Sequence, residues 1–226
     1  MRITEEEWNV IVGIVDANVK PETSKPYYSY ENFKKAIKKY PEFSKGNRVP
    51  ARREVAAFLA HLFQETRFSY NHEIRCYGGP TPCDDYGNAQ WGVRYNLLAV
   101  PGCTRAEWEC RYFGRGPMQL TWYLNYLDTS IAIFGDDRLA KEPWQVTDDP
   151  VVGWMTAIHF WMTNTGRESM TAHQAIRKGD FGKTISVVNG NQECGRSWDA
   201  RAQTRVDKYV EYCRVLGVPP GKMLRC

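Results

Sequence analysis

Phe58-Leu-Ala-His-Leu-Phe-Gln-Glu65-Thr66 is the stretch on which the reading of the chain turns, with Glu73 following eight residues after Glu65. Val55, Phe58, Leu59 and Leu62 recur at i, i+3, i+4 and i+7, the spacing of an amphipathic helix. Glu65 lies seven residues beyond Phe58, close to two turns, and so falls on the apolar face. A carboxyl there loses hydration and meets the negative end of the helix dipole. Both effects favour its protonated form, the profile of a general acid. Glu73 falls past the helix, in the polar run Ser69-Tyr-Asn-His-Glu73, where it is better solvated and ionised. Two carboxyls in unlike environments suggest an acid and base pair. A plainer reading stands beside this one. A Glu near a helix end is ordinarily solvated or pairs with a neighbouring Arg, and Arg67 is at hand.

Outward from this stretch, 226 residues suffice for one substantial core, in one or two lobes. Charged residues make up 25% and hydrophobic residues 42%, ordinary values for a globular protein. The net charge of +4 is mild and the basic residues are scattered, so nucleic acid is not an expected partner. Eight Trp and thirteen Tyr supply aromatic faces that can stack on sugar rings, although most belong in a core. No apolar run reaches the length of a membrane span. The opening Met1-Arg-Ile-Thr-Glu-Glu-Glu7 has no apolar core of a signal peptide. The numbering is then that of a mature domain, or the protein is not secreted.

Cysteine usage favours secretion. Cys76, Cys83, Cys103, Cys110, Cys194 and Cys226 lie in Gly/Pro/Asp-rich loops or at the extreme C-terminal end, where disulfides commonly staple a chain. Cys213 shares a helical face with Val206, Tyr209 and Val210, which makes it a buried free thiol. The Cys spacings do not fit zinc, and the four His form no ligand pattern, so no metal is expected.

Capping signals place the other elements. Thr4-Glu-Glu-Glu7 is a capping box ahead of Trp8, Ile11, Val12 and Val15. Pro21 to Pro26 read as a linker, Ser29 caps a helix burying Phe33, Ile37 and Tyr40, and Pro41 to Pro50 read as a loop. From Asn71 to about Gly114 no period is sustained, and a loop so long is usually functional or cross-linked. Met118 to Trp122 form a short strand or turn, and Asn125 to Phe134 a helix stopped by Gly135. Asp149-Pro150 starts the most apolar helix, Val151 to Met162, expected to be the central one. Thr171 to Lys178, Phe181 to Val188 (ending at Asn189-Gly190) and Trp198 to Leu216 complete a mostly helical chain.

In order along the chain, Tyr28-Ser-Tyr-Glu-Asn-Phe33, Glu54-Val-Ala-Ala-Phe-Leu-Ala60 with Gln64-Glu65-Thr66, Tyr112-Phe-Gly-Arg-Gly-Pro-Met-Gln-Leu-Thr-Trp122 with Asn125-Tyr126, Asp149-Pro150 through Thr163, and Val188-Asn-Gly-Asn-Gln-Glu-Cys194-Gly with Arg205-Val-Asp207 resemble glycoside hydrolase family 19, the chitinases of plants and some bacteria. The resemblance runs from about residue 27 to the end, so residues 1–26 read as an N-terminal extension and 27–226 as the catalytic domain. It implies an α+β, mostly helical, lysozyme-like bilobal fold with a substrate cleft. By the same resemblance Glu65 corresponds to the general acid, Glu73 to the general base, and Thr121 to the residue holding the attacking water. Gln119, Asn125 and Asn189 match residues that bind N-acetylglucosamine units, Trp108 a cleft Trp, and Arg205 an Arg that contacts the catalytic carboxylates. The implied disulfides are Cys103–Cys110 and Cys194–Cys226, with Cys76–Cys83 left by elimination. No cofactor is expected, since two carboxyls and water suffice, and a secreted monomer acting on chitin or chitooligosaccharides is implied.

The chain departs from the family pattern around the cleft: Gln64 replaces His, Arg67 and Phe68 replace two small residues, Tyr123-Leu124 replaces Asn-Tyr or Asn-Phe, and Asn191-Gln192 replaces a small pair. The segment from Cys76 to Cys103 is unusual in composition. These changes bear on substrate preference. Two other readings compete with chitin hydrolysis: cleavage of bacterial wall glycan, which the mild positive charge suits, and chitin binding without turnover.

Overall fold

A computed structural model describes residues 3–13, 27–72 and 112–226. Ten helices form among them: α1 (Glu5–Val12), α2 (Tyr30–Ile37), α3 (Arg48–Thr66), α4 (Tyr123–Phe134), α5 (Arg138–Lys141), α6 (Gln145–Asp148), α7 (Pro150–Thr163), α8 (Ala172–Arg177), α9 (Phe181–Glu193) and α10 (Ala200–Val215). Extended structure among the described residues is confined to isolated bridges: His72 with Arg115, Arg115 with Leu120, and Asp180 with Met223.

Side-chain caps start most of the helices. Thr4 and Glu7 close a capping box on α1, and Thr171 and Gln174 close another on α8. Ser29 accepts from Asn32 at the start of α2, and Asp149 accepts from Val151 and Val152 with Pro150 in the first turn of α7. The sequence expectation of a loop to Pro50 is corrected: α3 begins at Arg48 and takes Pro50 into its first turn. A proline there removes an N–H that has no intrahelical acceptor. The expected stop at Asn189-Gly190 is also corrected. Asn189 breaks the helical dihedrals (φ −151°, ψ 35°), yet α9 resumes and runs to Glu193.

The central element is α3 rather than α7. From Ala51 to Phe63 nearly every α3 residue is buried, whichever way it points. Ala51, Ala56, Ala57 and Ala60 let neighbouring helices approach, and α10, α8 and α9 pack around α3. Glu54 and His61 disguise this in the sequence because they are polar, yet both are fully buried and bonded. Glu54 accepts from Trp161 Nε1 at 3.1 Å and from the Ser44 N–H at 2.9 Å. Cys213 is buried and free, and burial pushes its thiol up to about 12.

Two apolar clusters divide the described residues into lobes. The larger gathers α1 to α3 and α7 to α10 around Phe33, Phe58, Trp154 and Trp161. Trp8 of α1 stacks on Phe33 at 4.6 Å, so residues ahead of position 27 share this core. The smaller holds Tyr112, Tyr126, Leu139 and Val146 with α4 to α6. Helix α7 serves both, and Gly153 on it leaves room for Tyr27, whose hydroxyl donates to the Val146 carbonyl at 2.5 Å.

The C-terminal strand of backbone is fastened to α9. Cys226 is disulfide-bonded to Cys194, and the N–H groups of Phe181 and Gly182 donate to the Met223 carbonyl at 2.9 and 3.1 Å.

Candidate active site

Glu65 occupies the last turn of α3, immediately before the chain reverses. Arg67 and Phe68 both adopt positive φ (54° and 53°), which costs non-glycine residues roughly 1–3 kcal/mol each. Phe68 offsets part of this by burying its ring against Tyr28 and Phe63. This is where the sequence lacks the usual small residues. The turn then carries Asn71 across to the smaller lobe, where its carbonyl accepts from the Gly116 N–H at 2.7 Å.

The facing wall comes from the Gly114–Trp122 turn. Gln119 (φ 53°) and Trp122 (φ 76°) are both held in conformations that side-chain-bearing residues rarely adopt. Gly114 faces the Gln119 side chain so closely that a Cβ would meet its Oε1 at 2.7 Å. Gln119 Nε2 donates to the Gly116 carbonyl at 3.1 Å, and the Thr121 hydroxyl donates to the Gln119 carbonyl at 2.7 Å. Asn125, on the first turn of α4, donates to the Thr121 carbonyl at 2.8 Å.

Between these walls runs a groove of about 690 Å³, floored by Thr156, His159 and Phe160 of α7. Glu65, Gln119, Thr121, Asn125 and Asn189 all line it, drawn from α3, the Gly-rich turn, α4 and the break in α9. Among its described lining residues, Glu65 and Asp128 are acidic and none is Lys or Arg. Glu73 and Trp108 lie outside the described residues, as do Cys76, Cys83, Cys103 and Cys110.

Behind Glu65 stands a buried ionic network. Arg205 of α10 is 1% exposed and donates to Glu65 Oε1 at 2.5 Å. Its other donors reach Glu193, whose carboxylate it grips at 2.8 and 2.9 Å. Burial alone would lower the Arg205 pKa, but Glu65 and Glu193 outweigh it and raise it. Asn189 Nδ2 donates to Glu193 at 2.8 Å, which ties the groove-lining amide to the same network. The expectation of a carboxyl stranded on an apolar face is therefore corrected. Glu65 is partnered, by Arg205 rather than Arg67, and its side chain is 25% exposed at the groove. Sequence reasoning missed Glu193 altogether. Its position ahead of Cys194, on the same segment as Asn189, was the only signal.

His61 closes the network from below. Thr184 donates its hydroxyl proton to the Phe181 carbonyl, so it accepts from His61 Nε2 at 2.8 Å. Nδ1 is then free to accept from Arg205 Nη1 at 3.1 Å. Burial, and next the Arg205 charge, hold His61 well below its ordinary pKa, in keeping with a neutral ring. A His with a depressed folded pKa contributes stability that is complete above about pH 6.5 and lost as pH falls from there towards the folded value. The thermal midpoint should fall between pH 7 and 5, and His61→Gln should show a shallower fall. Equal slopes in the two proteins would remove His61 from the account.

A family model described as chitinase class I matches residues 3–226. The chain is 36% identical over 208 residues to endochitinase B of Zea mays, covering 89% of this chain and 63% of that one. It is 38% identical over 222 residues to the basic 30 kDa endochitinase of Solanum lycopersicum, covering 88% and 65%. It thus spans just under two thirds of the length of these curated relatives. Among solved structures, a bacterial family 19 chitinase superposes with a TM-score of 0.79 at 31% identity, covering 100% of both chains. Chitinase C from Streptomyces griseus gives 0.78 at 30%, covering 99% of this chain and 79% of that one. These likenesses carry the lysozyme-like architecture expected from the motifs.

Proposed function

The chain belongs to the chitinase class I family, glycoside hydrolase family 19, and from that premise we propose that it hydrolyses internal β-1,4 bonds between N-acetylglucosamine units of chitin, with inversion at C1. The observation that carries this reading is the convergence of Glu65, Gln119, Thr121, Asn125 and Asn189 on one groove. They come from three separate stretches of the chain, at residues 65, 119–125 and 189.

In the proposed step, Glu65 gives its proton to the glycosidic oxygen while Glu73 takes one from a water that attacks C1 from the opposite face. Thr121 donates its own proton to the Gln119 carbonyl, so its oxygen is left to accept a hydrogen from that water. The water's lone pair is then turned towards the sugar. Inversion requires about 6.5–9.5 Å between the two carboxyl groups, room for one water. Arg205 holds Glu65 in place, and because Glu193 shares the guanidinium, the buried pair stays neutral when Glu65 carries its proton. Gln119, Asn125, Asn189 and Trp108 bind sugar. The catalytic unit takes in α1, whose Trp8 packs into the larger core, and no cofactor takes part.

The groove favours an uncharged polymer over wall glycan. Asp128 would repel an anionic chain, and no described lining residue is Lys or Arg. The Cys194–Cys226 disulfide supports action in an oxidising, extracellular setting, and no described helix is long and apolar enough to cross a membrane.

Incubation with a hexamer of N-acetylglucosamine, with product anomers followed from the start, tests the proposal. Early α-anomers are expected. Early β-anomers would overturn inversion, and an intact bound hexamer would replace turnover with binding.

A further inference from the structure

Trp198 is 64% exposed, the most exposed of the large apolar side chains described. A lone surface hydrophobic means little, but this one stands on a fixed pedestal. On one side Cys194 is disulfide-bonded to Cys226. On the other, Asp199 accepts from the N–H groups of Arg201 and Ala202 at 2.9 and 3.2 Å and pairs with the Arg201 guanidinium at 3.0 Å. The indole stands largely in water between these two fixed points.

Trp198 lines a hollow of about 70 Å³ that has Ile185, Ala202 and Val206 among its apolar walls and Arg196, Ser197, Gln203 and Arg225 among its polar ones. The guanidinium of Arg201 continues from this pedestal to Gln192, donating to its side-chain oxygen at 2.7 Å and its carbonyl at 3.0 Å. Gln192 lines the groove that holds Glu65. An exposed aromatic face fringed by amide, hydroxyl and guanidinium donors matches a pyranose ring, which is apolar on its C–H face and polar at its edge. The wall of the groove and this platform are joined through one side chain.

The geometry points to Trp198 as the platform of a second carbohydrate site, outside the catalytic groove, that stacks one ring of a β-1,4-linked N-acetylglucosamine chain. The identity of the sugar rests on the proposed function; the platform itself does not. Such a site holds the enzyme on insoluble polymer while the groove works along it.

The test measures retention on insoluble chitin in the Glu65→Gln background, where turnover does not erode the support. Trp198→Ala should weaken retention roughly tenfold, the equivalent of about 1.4 kcal/mol, with an unchanged thermal midpoint because the side chain is exposed. Trp198→Phe should recover most of the binding. Equal retention by Trp198→Ala and its parent would overturn the site, and so would a parent that does not bind the polymer. A failure of the functional reading appears separately, as wild-type protein that makes no product from the soluble hexamer.

Discussion

Glu65→Gln should leave a folded protein that turns over the N-acetylglucosamine hexamer about 10²–10⁴-fold more slowly than wild type, the usual contribution of a positioned proton donor. Gln keeps the oxygen that accepts from Arg205 Nη2 and loses only the transferable proton. The groove keeps its shape, so hexamer binding should survive. A Glu65→Gln variant with near-wild-type turnover would remove this residue from the proposed mechanism. One that unfolded would instead show that the carboxylate charge is needed by Arg205. The two outcomes separate in a thermal melt, recorded beside the activity assay.

Arg205→Met should be the most destabilising single change. It strands the Glu193 carboxylate, whose side chain is wholly buried, with the Asn189 amide left beside it. Removing one member of a buried pair typically costs about 3–5 kcal/mol, because the remaining charge has neither water nor counter-ion. For a chain of this length that corresponds to a midpoint lower by roughly 10 °C. The double variant Arg205→Met/Glu193→Met should recover much of the loss, since an apolar replacement strands no charge. An Arg205→Met midpoint within a degree or two of wild type would mean that Glu193 finds water or a proton cheaply, and that the network is not closed as described.

Some of this architecture was legible because it is local. A helix cap is settled within four residues, so Thr4, Ser29 and Asp149 announced their helices correctly. Gly135 and Gly217, at φ 79° and 61°, likewise ended theirs. The convergence of groove residues came from motif order rather than periodicity. What stayed hidden was set by distance or by burial. Glu193, gripped by Arg205 behind Glu65, was missed, whereas the Arg205–Glu65 contact across 140 residues of sequence was reached through the family resemblance alone. Glu54 and His61 are polar residue types, and the packing of α8, α9 and α10 around α3 makes them interior. The four-residue helices α5 and α6 are too short to carry a period at all.

Chain ends ordinarily fray first, and their amides exchange with solvent through small local openings. The tail of this chain is placed differently. Cys226 is fixed to the residue that follows Glu193, and Met223 is bonded to the first turn of α9, so both ends of that helix hold the same segment, Met223–Cys226. Lifting the tail means loosening the helix that presents Asn189 to the groove and Glu193 to Arg205. The terminal residues should therefore open with the buried network as one cooperative unit, at a free energy near that of global unfolding rather than near zero.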